Sequence, residues 1–146
     1  MSTPPKIKGL FESVQELIAY ADSTFGLFHD AAAGFGSFSS QISALVAKEV
    51  ESGATQTKAL NLPLIYNEGE PLSTTTPLHR STLGQVIDRC LPHGPNEVFL
   101  GNMCVVALYT FLELRSRNRI SESLEIPLNN VRSALFGNLR WLRHAI

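Results

Sequence analysis

Apolar positions Ile7, Leu10, Phe11, Val14, Leu17, Ile18, Ala21, Phe25 and Phe28 recur three or four residues apart, the spacing that gathers side chains on one face of an α-helix. Pro4 and Pro5 suit a first turn, where an N–H would lack a partner anyway. The pattern predicts a long amphipathic helix reaching Ala31 to Ala33. Phe35, Phe38, Ile42, Leu45, Val46 and Val50 resume the same period to Glu51, and Gly53 is placed to stop it. Between the two runs lies GFGSFSS. Its glycines and serines weaken a helix, but it holds no proline, so residues 6–52 are either two helices kinked at Gly34 to Gly36 or one very long helix, with the break favoured.

The pattern then changes. Residues 54–79 contain Pro63, Pro71 and Pro77, a threonine run, and two short β-favouring pieces, LNLPLIY and PLSTTTP, on either side of Asn67-Glu68-Gly69-Glu70. These predict a small hairpin or an extended loop, the prolines removing ladder donors. Ser81 or Thr82 opens a short helix to Leu91 with Leu83, Val86, Ile87 and Cys90 on its buried side, and PHGP breaks it. From Pro95 and Asn96 a helix apolar on almost every side runs to Leu114, which predicts a bundle centre or a subunit interface. Its polar end holds Glu113, Arg115, Arg117, Asn118 and Arg119. A turn or short helix at Ile120 to Leu124 leads through Pro127 to a last amphipathic helix, Asn129 to Ile146. Val131, Leu135, Leu139, Leu142 and Ile146 form its apolar face, and the sequence stops in mid-turn without a capping residue, so that either the chain is cut or its natural end is unusually abrupt. The expected fold class is therefore all-α, an antiparallel helical bundle with a loop or small hairpin insertion at about 54–79.

Composition narrows this. A chain of 146 residues matches one ordinary domain, here 1–146 as a single helical domain, and needs no disulfide to fold. Cys90 and Cys104 lie on apolar stretches at a spacing that fits no metal motif, so both are expected reduced. The amino terminus lacks a signal-peptide layout, and no apolar run approaches the roughly 18 to 20 residues of a membrane span, which makes the cytoplasm the expected location. The net charge of −1 conceals an asymmetry. Residues 1–79 carry four Lys against eight acids, and residues 80–146 carry eight Arg against five acids. Forked guanidinium contacts suit phosphate, so a phosphate-bearing partner belongs on the second half. The competing reading pairs these arginines with Glu113, Glu122 and Glu125 at the surface.

Two constellations could carry chemistry. Glu113 and Arg117 share a helix face, as do Arg140 and His144, with Arg143 beside them. Arginine can hold a scissile phosphate and steady its growing charge, while histidine moves a proton from a ribose hydroxyl, a minimal set for RNA cleavage without metal. His29, His79 and His93 have no partner at metal-ligand spacing, so neither metal nor cofactor is expected. Gly34 and Gly36 do not make a phosphate loop, having no preceding strand and no Gly-Lys-Ser. Tyr109, Phe111 and Trp141 could line a small-molecule pocket, although such aromatics more often fill a core.

The segments VVALYTFLELRSRNRI and LNNVRSALFGNLRWLRHAI resemble the last two helices of the HEPN superfamily of small all-α domains, over about residues 97–146. The resemblance implies a HEPN-like bundle and a homodimer with paired Arg/His motifs at its interface. It further implies an association with RNA, either as a metal-independent endoribonuclease of a toxin or defence system, with an antitoxin or other protein partner, or as an inactive binding module. Glu113 and Arg117 match the polar pair of the penultimate helix, and Arg143 with His144 matches the opening of the final motif. Catalytic candidates are thus Arg143, His144, Arg140 and Glu113, and RNA-binding candidates are Arg117, Arg119 and Arg132. The family's His would fall at or beyond position 148, so the His is lost with the carboxy terminus, or His144 acts in altered geometry, or the domain is non-catalytic. From another class, a regulatory bundle would bind a protein through residues 54–79 or through the apolar helix.

Overall fold

The structure, a computed structural model, describes residues 5–66 and 79–131, and packing divides the chain into two compact units, residues 1–30 with 99–146 and residues 31–98. The described chain is mostly helical, with one small two-stranded sheet.

Helix α1 runs Pro5–Glu51 without interruption, which corrects the break expected at Gly34 to Gly36. Neither glycine has a positive φ, and their neighbours Ala31 to Ala33 are the best helix formers. The hydroxyls that read as helix breakers are satisfied inside the helix: Ser40 donates to the Gly36 carbonyl at 3.0 Å, as Thr24 does to Tyr20 at 2.8 Å. Each glycine costs about 1 kcal/mol relative to alanine, less than the burial of Ile42 and Val46 further along returns. Gly53, at φ 100°, ends the helix as expected, and the Ala54 N–H reaches back to the Glu49 carbonyl at 3.1 Å.

In the unit of residues 31–98, Ile42 and Val46 pack with Ala59, Leu83, Val86 and Cys90, and Phe35, Phe38, Leu60 and Ile87 close around them. Ala59 belongs to a short helix that the periodicity had not indicated, α2, Gln56–Leu60, started by Thr55 accepting the Lys58 N–H. Strand β1, Pro63–Tyr66, falls within LNLPLIY and pairs antiparallel with β2, His79–Thr82, while the PLSTTTP piece lies outside the described residues. Pro63 pairs with Thr82 at the outer end of the ladder, where its missing N–H matters least. Helix α3, Leu83–Cys90, starts on a full capping box: Thr82 Oγ1 accepts the Gln85 N–H at 3.2 Å and Gln85 Oε1 accepts the Thr82 N–H at 3.0 Å.

Helix α4, Pro95–Phe111, begins where the prolines placed it, and no break separates its polar end from the expected short helix at 120–124. It passes through a π-helical turn, Leu112–Ser116, into α5, Arg117–Leu124, so helical structure is continuous from 95 to 124. This stretch is long and apolar enough, by length and composition alone, to cross a membrane, and little of it is buried. Within α4 only Tyr109 is buried, while Val98, Phe99 and Met103 are exposed. Leu128–Asn130 forms a 3-10 turn and not the first turn of the expected last helix, and Val131 behind it is buried. Residues 132–146 lie outside the described residues.

A Cβ on Gly94 would meet the carbonyl oxygens of Leu91, Asp88 and Arg89 at 2.7, 2.9 and 3.1 Å, and backbone cannot rotate aside. Gly94→Ala should therefore lower stability by about 2 to 3 kcal/mol in urea unfolding. Gly34→Ala, which meets nothing within 4 Å, should raise it by about 0.5 to 1 kcal/mol.

Candidate functional site

In the unit of residues 1–30 and 99–146, α1 and the helix at 95–124 lie antiparallel, as successive contacts show. Phe28 lies against Gly101, the Cys104 thiol donates to the Thr24 carbonyl at 3.8 Å, and Tyr20 stacks on Phe111 with ring centroids 4.2 Å apart at 11°. One turn further, Glu16 meets Arg115 and Arg119, and beyond them Gly9 meets Ser123. A Cβ on Gly9 would stand 2.7 Å from Ser123 Oγ, so this glycine permits the close approach.

The charged residues cluster on and after the π-helical turn. There the Arg117 N–H bonds to the Leu112 carbonyl, five residues back, and the extra residue turns the following side chains to a new face. Arg117 Nη1 donates to Glu113 Oε2, and its Nη2 donates to the Leu128 carbonyl at 3.1 Å. The side chains of both partners are mostly buried, at 20% and 24% exposure. Glu16 faces two guanidiniums at once: Arg115 Nε donates to Oε2 at 3.2 Å and Arg119 Nη1 donates to Oε1. Arg115 also lies 5.9 Å from the centre of the Phe111 ring. Ser116 is buried, and among the described residues neither its Oγ nor Arg117 Nε has a hydrogen-bond partner.

Of the candidates from the sequence, Glu113 and Arg117 are brought together as an ion pair, and Arg119, two residues on and so on another face, pairs with Glu16. Arg132, Arg140, Arg143 and His144 lie outside the described residues. The surface pairing expected with Glu113 holds for Arg117, whereas Arg115 and Arg119 turn to Glu16. Glu16 was missed because nothing local marks it. Its partners are 99 and 103 residues away, and in α1 it reads as one more polar position.

Of the aromatics weighed as a pocket lining, Tyr109 is buried and Phe111 is stacked on Tyr20, as core residues would be, and Trp141 lies outside the described residues. An apolar cavity of about 400 Å³ does open further along the same helix pair, lined among others by Ala21, Asp22, Phe25, Phe28, Gly101 and Cys104. His29 is exposed and packs edge-on to Phe25 and Phe28, and His93 is exposed beside Glu97. Both cysteines are free, Cys90 buried and Cys104 half-buried. Among the described residues no group of three His, Cys, Asp or Glu gathers as a metal site would need.

Comparisons of the chain with protein-family models, with curated proteins and with solved structures found no match.

The Glu113 and Arg117 pair is shielded enough to matter for stability. Arg117→Ala should cost about 2 kcal/mol, because it leaves the Glu113 carboxylate and the Leu128 carbonyl without this donor. A double-mutant cycle with Glu113→Gln, followed by urea unfolding, should give a coupling of about 1 kcal/mol after solvent screening.

Proposed function

We propose that this chain is a HEPN-like helical domain associated with RNA, of the kind found in toxin or defence systems, working as a homodimer in the cytoplasm. The observation that carries the reading is the Glu113 and Arg117 ion pair at the end of a strongly apolar helix, tied to the Leu128 carbonyl at the entry to the Arg/His-bearing segment. A polar pair in that position is what the resemblance requires of the penultimate helix. Its setting in a π-helical turn, a feature enriched at functional sites, points the same way. In this reading Arg143 and Arg140 hold the phosphate, Glu113 orients Arg117, and His144 is the proton-transfer candidate. Arg132 and Arg119 extend the basic surface along the RNA. An antitoxin or other protein partner belongs to the same proposal.

A non-catalytic dimerisation module is the second reading, favoured by apolar exposure. Phe11, Val14, Ile18, Phe25, Phe99, Met103 and Leu114 are all at least 44% exposed in the single chain. Protein is a better cover for them than lipid, because Asp22 lines the same cavity as Cys104 at the middle of the apolar helix. A charge at that depth in a bilayer costs about 3 kcal/mol.

The purified protein, incubated with a mixed RNA pool in chelator, should bind single-stranded RNA with an affinity that falls steeply with salt, and Arg140→Ala with Arg143→Ala should weaken binding at least about 5-fold. Cleavage abolished by Arg143→Ala would assign the ribonuclease, and binding without cleavage would assign the binding module. No RNA affinity at low salt would overturn both. Analytical ultracentrifugation without detergent should show a dimer, and partition into lipid vesicles would count against it.

A further inference from the structure

We infer that Arg115 and Arg119 form an oxyanion site that Glu16 occupies in the free protein, and that an RNA phosphodiester takes the place of the Glu16 carboxylate. This rests on the RNA reading above and names a contact within it. Each oxygen of the Glu16 carboxylate accepts from a different guanidinium, Oε2 from Arg115 and Oε1 from Arg119. A phosphodiester presents the same feature, two equivalent oxygens sharing one negative charge, and its larger size suits guanidiniums drawn from successive helical turns.

The charge balance favours exchange. Among the described residues one carboxylate serves both Arg115 and Arg119 within ion-pair distance, while Arg117 is paired separately with Glu113. The cluster is also accessible, with side-chain exposures of 57% for Arg115, 38% for Arg119 and 37% for Glu16. Ion pairs this exposed are weak enough to be displaced by a polyanion. Arg115 is held in place without Glu16, since its guanidinium sits over Phe111, which is itself stacked on Tyr20. The site is therefore built before the ligand arrives, and Glu16 acts as an internal competitor for it.

The test compares RNA affinity and its salt dependence in the full chain and its variants, by fluorescence anisotropy with a single-stranded oligonucleotide. Glu16→Gln should bind roughly 3- to 10-fold more tightly than the parent, with a salt slope steeper by about 0.7, the value for one added phosphate contact on a single strand. Adding Arg119→Ala should abolish that gain. Glu12→Gln removes the same charge from an exposed residue one turn away and should change affinity less than 2-fold, which separates the local site from net charge. Glu16→Asp keeps the charge but cannot span both guanidiniums. It should gain an intermediate amount, and it serves if Glu16→Gln loses its helical circular dichroism. Equal affinity in the parent and Glu16→Gln, or an equal gain in Glu12→Gln, would overturn the inference and leave the RNA reading standing. Should no form bind RNA, the RNA reading falls. The oxyanion site then stands only if inorganic phosphate, against chloride of equal ionic strength, raises the melting temperature of Glu16→Gln above that of the parent, and no rise would overturn it too.

Discussion

The close antiparallel approach of α1 to the helix at 95–124 is the constraint on which the first unit depends. Gly9 carries no side chain where Ser123 approaches it, and the Phe28 ring lies over Gly101. The Tyr20 and Phe111 stack then fixes the axial register, because a flat ring pair tolerates little sliding before the overlap is lost. With that register set, Glu16 lies one turn from Tyr20, and Arg115 and Arg119 lie one and two turns from Phe111. Their convergence follows from helix geometry once the aromatic pair is locked.

The π-helical turn lies where the apolar part of the same helix gives way to its charged end. Across it Leu112 and Ser116 are buried, while Arg115 and Arg119 reach Glu16 and Arg117 reaches Glu113. Three guanidiniums, those of Arg115, Arg117 and Arg119, are thereby held by two carboxylates, those of Glu16 and Glu113, at the end of a helix that is otherwise largely apolar.

That polarity joins the two functional readings. The apolar end exposes Phe99 and Met103, and the other end carries Arg115 and Arg119. A dimeric RNA-associated domain would use both ends of one helix, with the second copy on the apolar part and phosphate on the arginines. The second unit contributes differently. Its core of Ile42, Val46, Ala59, Leu83, Val86 and Cys90 is closed by a capped helix and a short hairpin, and none of the candidate site residues lies in it.

Much of the secondary structure was legible because its signals are local. The three-four spacing of α1, Thr82 before α3, Pro95 before α4 and Gly53 after α1 each act within a turn or two of chain, and each element stands where they put it. The pairing of Glu113 with Arg117 was legible for the same reason, being four residues apart on one helix. The continuity of α1 through its glycines was not, since local propensity there is nearly neutral and burial of distant residues decides it. Nor was the partner of β1, because a short strand matches several segments equally well until α3 fixes His79–Thr82 beside it. By itself, then, the sequence determined a mostly helical chain with arginines at the polar end of an apolar helix. Only the tertiary structure decided that Glu16, about a hundred residues away, would stand between two of those arginines, because a contact of that span depends on helix register, which no local pattern encodes.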